Sequence, residues 1–260
     1  MTVEYQYLRP RQMVERREAM PAAYMGLGIL EWHGLHNPLG LDGVKANGVA
    51  CHLARTLGGV VMPPQFWGDC RQYIGELDFE ETFRPVFSVP ENHFDHTRPI
   101  CEALGLEKAA FVKDAMRSRE NGKDALWIQL MAHTMFQIET LGFRAIIMIP
   151  GHYPLIGSLD RAMERYKEEG GQCKVKAISD FVYHEGGLSG DHAAAVETSL
   201  MLALYPELVD LGELDPDLAK PNIGVIGRDP RTHASRELGE KILAKFVLAA
   251  EEFLKESGLQ

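Results

Sequence analysis

Apolar runs and helical periodicities alternate along the chain. YLRPRQMVERREAM predicts a short amphipathic helix, and the apolar run from Ala22 to Leu30 (AAYMGLGIL) predicts a buried strand. Asp42 to Leu57 carries apolar residues at helical spacing and is stopped by Gly58-Gly59. Val60 to Met62 is a brief strand ended by Pro63-Pro64. Ala125 to Leu141 is a helix closed by Gly142, and Phe143 to Ile149 (FRAIIMI) has the continuous apolarity of a strand buried on both faces. A helix over Leu159 to Glu169, a strand over Cys173 to Ile178 and an irregular loop from Asp180 to Gly190 follow. Ala193 to Tyr205 is a helix stopped by Pro206, and Ser235 to Leu254 is the last helix.

Strands and helices alternating at this spacing predict an α/β fold, a parallel sheet with helices on both faces. Ligands of such sheets bind beyond the carboxyl ends of the strands. Gln65 to Ser118 fits no element well and is expected to be an inserted excursion, a lid or a subunit contact, within a single domain spanning 1–260. Its acidic run Glu76–Glu81 reads as a solvated face or a subunit contact.

Composition narrows the function. A net charge of -10 and a pI near 5.5 disfavour nucleic acid or an anionic membrane as the main partner. Cys51, Cys70, Cys101 and Cys173 are scattered without a C-x-x-C pair, as buried thiols of a reducing compartment are. The charged N-terminus lacks a signal-peptide apolar region, and no apolar run approaches the ~20 residues of a membrane span. The expected location is the cytoplasm.

The chemistry gathers where strands end. EWHGLHNPLGLDG follows the first apolar run. Glu31 and His33 leave one face if the strand persists that far, and a Pro-Leu-Gly turn can fold Asp42 back to meet them. Glu, His and Asp converging on one point suit zinc or manganese; Asp42 as a helix N-cap among solvent-facing neighbours is the plain alternative. His152 follows the most apolar strand through the tight turn Pro150-Gly151. In GDHAAAVETSLMLALYP, Asp191 can cap the helix, and His192, five residues before Glu197, should reach the site from the preceding loop. An unpaired Glu197 would be costly to bury in so apolar a helix. A metal cation would compensate it, unless Glu197 lies on an exposed stripe with Thr198.

E-x-H-G-x-H-x-P-L-G-x-D, a strand ending G-H, H-A-x-x-x-E-T-S and I-G-V-I-G-R-D-P, in that order, resemble the creatininase family of metal-dependent amidohydrolases, from about Gly26 to Leu243. The resemblance implies a three-layer αβα sandwich with a mainly parallel sheet. It also implies a homo-oligomer (a hexamer in creatininase) and two adjacent divalent metal ions, zinc or manganese. Glu31, His33, Asp42 and His152 match the family's metal ligands, with Asp42 bridging, and Glu197 matches the remaining one. His192 matches the active-site histidine, and Gly227 to Pro230 match a late loop. Creatininase takes a ligand from a glutamate after G-H-Y, where this chain has Tyr153 and then Pro154. Creatininase also closes its pocket with tryptophans between G-H-Y and H-G-G, an interval that holds none here; Tyr183 or Phe181 could stand in. Trp32 and Leu41 replace the motif's common Gln and Thr.

These residues allow a metal-activated water to attack a carbonyl, with His192 passing the proton to the departing nitrogen. His36 is a candidate to hold the metal-binding groups, and Tyr153, His36 and Tyr183 are the candidate substrate contacts. The expected reaction is hydrolysis of a C–N bond in a small amide, cyclic amide or formamide. Creatinine hydrolysis, peptidase action on a short precursor and non-catalytic metal binding on the same scaffold are the rivals. A Rossmann redox enzyme is disfavoured, because Gly26-Leu27-Gly28 lacks the third glycine of that fingerprint.

Overall fold

The computed structural model describes residues 2–68, 97–111, 113, 123–186 and 188–259. Helix α1 (Pro10–Ala19) leads into strand β1 (Ala22–Leu27), followed by α2 (Leu41–Thr56), β2 (Val60–Gln65) and α3 (Thr97–Ala103). Then come α4 (Lys123–Thr140), β3 (Ala145–Pro150), α5 (Leu155–Glu168) and β4 (Lys174–Ala177). Helices α6 (Ala195–Leu204), α7 (Pro230–His233) and α8 (Arg236–Glu256) complete the order. Most of the excursion expected between 65 and 118 lies outside the described residues, as do its acidic run and Cys70. No helix among the described residues is long and apolar enough to cross a membrane.

The four strands among the described residues form one parallel sheet in the order β2-β1-β3-β4, as the alternation of elements predicts. Successive strand residues face opposite sides, so one uninterrupted apolar run serves two cores. Tyr24, Val61, Ile147 and Ile149 pack against α2, α6 and α8. Ala23, Met25, Val60, Met62, Ile146 and Met148 pack against α4 and α5 on the other face. Trp127 belongs to this second core, as its helical spacing suggests. Helices on both faces make the αβα sandwich.

Strand β1 stops three residues before its apolar run does. Its register with β2 slips between Met25 and Leu27, and Gly28 then donates to the Gln65 carbonyl at 2.8 Å. The reason is contact with α2. A Cβ at Gly28 would stand 2.2 Å from the Gly43 nitrogen, and one at Gly26 would stand 2.6 Å from that of Asn47. Beyond β3, Gly151 donates to the Leu27 carbonyl at 2.7 Å, and a Cβ there would lie 2.1 Å from the Asp42 carbonyl oxygen. Only bare backbone lets the first turns of α2 rest on the ends of the two central strands. This contact carries Asp42 over the sheet edge.

A test follows from that contact. Gly151→Ala is expected to lower stability by about 1–3 kcal/mol through overpacking and to shift Asp42. Gly157→Ala at an exposed position of α5, where nothing lies within 4 Å of an added Cβ, should instead raise stability by up to about 1 kcal/mol. Denaturant unfolding of both variants checks the contrast.

Candidate metal centre

Glu31 and His33 lie in an irregular loop beyond β1, which corrects the idea of a strand running on to present both on one face. Glu31 donates its N–H to the Leu39 carbonyl at 3.1 Å, and Leu41 donates to Pro38 at 3.0 Å, so the loop doubles back directly into α2. Asp42 sits inside the first turn of that helix and is buried, while Gly40 occupies the N-cap position; Asp42 is therefore no N-cap. His152 lies in the turn after β3. His192 precedes α6 in a loop, as expected, held by reciprocal backbone hydrogen bonds with Ile226 at 2.9 and 2.8 Å.

All of these side chains meet. His152 Nδ1 stands 3.1 Å from Glu31 Oε1 and 3.3 Å from Asp42 Oδ2. His33 Nε2 stands 3.1 Å from Asp42 Oδ1, 3.7 Å from Glu31 Oε1 and 3.8 Å from Glu197 Oε2. His192 Nδ1 lies 3.5 Å from Glu31 Oε1, with its ring centroid 4.5 Å from that of His33. Three trios each bring their ligand atoms within 4.8 Å of one another: Glu31–Asp42–His152, His33–Asp42–Glu197 and Glu31–His33–His192. Asp42 belongs to the first two, one oxygen toward each imidazole.

The arrangement calls for a cation. His33 is wholly buried, and its Nδ1 faces the Glu31 carbonyl at 3.2 Å, an oxygen that can only accept. The ring proton therefore belongs on Nδ1, and the Nε2 lone pair of a neutral ring points among three carboxylates. Such a contact is repulsive unless a proton or metal ion lies between. Glu31 Oε2, also buried, accepts no hydrogen bond among the described residues. Burial draws both imidazoles down, but the carboxylates prevail: Asp42, with Glu197 and Glu31, holds His33 at about 9, and Glu31 with Asp42 holds His152 at about 10. Carboxylates and imidazoles so placed form a donor set for zinc or manganese, and the residues fit the group.

Glu197 and Thr198 are buried, so the exposed stripe does not exist. The cation at Glu197 is one the sequence reading missed. Lys45 Nζ lies 2.5 Å from Glu197 Oε1 and 3.1 Å from Asp180 Oδ2, all three buried. Glu197 Oε2 accepts the Ala193 N–H at 2.7 Å. Ala193 is left-handed (φ 55°), the one positive-φ residue other than glycine among those described. Asp191 caps from a distance, accepting the N–H groups of Val196 at 2.7 Å and Glu197 at 3.1 Å. One signal could have revealed Lys45: it follows Asp42 by three positions, on the same side of α2.

The expected substrate contacts divide. Tyr153 follows His152; its hydroxyl accepts the Asp191 N–H at 2.9 Å, and its ring packs at 4.5 Å on Phe181. His36 is buried, with Nε2 3.0 Å from Thr198 Oγ1 and 3.0 Å from Asn37 Nδ2. Through that contact it braces the residue after Glu197. Tyr183 is packed in the core beside α8, and Phe181 is the aromatic that flanks Tyr153.

A parallel-sheet protein that gathers buried carboxylates and imidazoles beyond its strand ends has, in fold and site, the makings of a metal centre. The sequence model of the family described as "Creatininase: Creatinine amidohydrolase" matches residues 123–254. Creatinine amidohydrolase of Pseudomonas putida is 30% identical over 261 residues, covering 88% of this chain and 87% of that protein. Among solved structures, a mutant creatininase complexed with creatine superposes with TM-score 0.68 at 24% identity over 99% of both chains. A mutant creatininase of Zn-Zn type gives 0.67 at 23% identity over 98% of both. These likenesses establish the fold. The chain belongs to the creatininase family of metal-dependent amidohydrolases.

His36 supplies a pH test. Burial pushes its imidazole down to about 4, below the ~6.5 of an unfolded chain. Between those values the unfolded state binds more protons, so this group's contribution is present above about 6.5 and is lost as pH falls toward 4. The stability advantage of wild type over His36→Gln should therefore shrink as pH is lowered from 7 to 4, measured by thermal unfolding.

Proposed function

We propose that this protein hydrolyses a C–N bond in a small amide, cyclic amide or formamide, using a divalent-metal centre built from Glu31, His33, Asp42, His152 and Glu197. The observation that carries it is the wholly buried His33 Nε2 facing three carboxylates, with Asp42 shared between two trios of donors. The two trios would hold two divalent ions, and both zinc and manganese suit the donors. Bound there, the metal acidifies a water toward neutrality and draws electron density from the scissile carbonyl.

The chain's own residues manage the proton. His192 Nε2 lies 2.9 Å from the Trp32 carbonyl, an oxygen that can only accept, so the ring donates its Nε2 proton there. Nδ1 of the neutral ring is then the basic nitrogen, facing Glu31. Burial draws the His192 imidazole below its ordinary value, against the pull of Glu31. Nδ1 takes the proton of the attacking water and returns it to the departing nitrogen, a role for which a positioned histidine is suited. Tyr153 and Phe181 form the aromatic wall next to His152 and stand in for the tryptophans that creatininase uses. The reading includes a homo-oligomer in the cytoplasm; sedimentation of the purified protein tests the assembly.

Chelator treatment should abolish turnover on a panel of lactams, formamides and short peptides, with zinc or manganese restoring it. Less than one equivalent of metal per chain in active protein would reject the scheme. His192→Ala should lower kcat by about 10²–10⁴-fold with the metal content unchanged. Loss of metal in that variant would make His192 a ligand instead.

A further inference from the structure

The two trios sharing Asp42 are not equivalent, and a lysine makes the difference. Lys45 lies on the same side of α2 as Asp42 and is buried, so its ammonium cannot turn away to solvent. It is fixed between Glu197 Oε1 and Asp180 Oδ2. The Tyr153 ring, 5.8 Å from Nζ to its centroid, covers it, and the Tyr153 hydroxyl is itself held by Asp191. The second oxygen of Glu197 accepts the Ala193 N–H. Both oxygens of this carboxylate are thus engaged, and a tethered cation, shared with Asp180, offsets part of its charge.

Glu31 presents the opposite case. One of its oxygens meets only imidazoles, and Oε2 accepts no hydrogen bond among the described residues. The trio Glu31–Asp42–His152 therefore keeps its negative charge for an incoming ion. The trio His33–Asp42–Glu197 must share Glu197 with an ammonium that repels any ion placed there. Pro154, directly after Tyr153, offers no further donor to offset that repulsion.

We propose that Lys45 sets the metal stoichiometry: Glu31–Asp42–His152 holds its ion tightly, while the ammonium on Glu197 leaves the ion at His33–Asp42–Glu197 weakly bound and exchangeable. This rests on the metal-centre reading above. Lys45 acts here as a specificity-setting neighbour of Glu197, with no contact to substrate. Its counter-charge also explains how Glu197 is buried when only the first position is filled.

The test is metal binding by the full-length protein, stripped with chelator and titrated calorimetrically with zinc and, separately, manganese. Metal is also counted after gel filtration. Wild type should retain one equivalent and take up a second on the order of 100-fold more weakly, a gap of about 2.7 kcal/mol. Lys45→Met should bring the two affinities within about tenfold and retain two equivalents. Two equally tight ions in wild type would overturn the proposal, and that measurement needs no variant. Loss of the second ion in Lys45→Met would also overturn it, making Lys45 an aid that orients Glu197. Lys45→Gln, which keeps a hydrogen-bond donor for Glu197 and Asp180, repeats the test if the methionine variant fails to fold. Wild type that binds no metal would instead sink the metal-centre reading itself.

Discussion

The structure depends on how closely the backbone at the head of α2 presses on the ends of β1 and β3. Gly26, Gly28 and Gly151 each face α2 backbone at distances that leave no room for a Cβ. Parallel strands ending side by side bring residues from remote stretches of sequence to one rim. The glycine contacts then hold the first turn of α2 on that rim, so Asp42 meets His152 from the adjacent turn and His33 from the loop before the helix. Loosening that contact would unseat a carboxylate common to two sets of donors. Fold and chemistry are therefore coupled at a few backbone atoms.

Much of this was legible in the residue pattern because burial on both faces leaves a plain signature. The runs AAYMGL and AIIMIP read as strands since every side chain in them enters one core or the other. Convergence of Glu31, His33, Asp42, His152, His192 and Glu197 was also foreseeable, since each follows or closely adjoins a strand end or a helix start. The end of β1 was not, because Gly28, Ile29 and Leu30 look like more strand while Gly28 is tied to its contact with α2. Lys45 was missed for a related reason: a lysine in a helix of mixed character reads as solvent-facing, and only the acidic groups arriving from Asp180 and Glu197 make its burial tolerable.

The buried charges beside the metal-binding groups form one connected system. Lys45 links Asp180 to Glu197, Asp191 gathers the N–H groups that open α6, and Tyr153 joins Asp191 to the turn carrying His152. Groups of this kind are tolerated in an interior only when each is matched by a partner. Ala193 bears part of the burden, adopting a left-handed backbone so that His192 and the carboxylate of Glu197 approach the centre from one tight bend. Strain at such a position persists only where its surroundings enforce it.

The carbonyl of Trp32 has a wider consequence. It sits between Glu31 and His33 in the chain, and it fixes which nitrogen of His192 is basic. One short loop thus carries Glu31 and His33 and also sets the tautomer of His192, so a change in that loop disturbs all three together. The Tyr153–Phe181 wall is built from separate segments. Phe181 can change without touching the contacts among Glu31, Asp42 and His152, whereas Tyr153 is bound to Asp191 and covers Lys45, so of the two rings only one is free to vary.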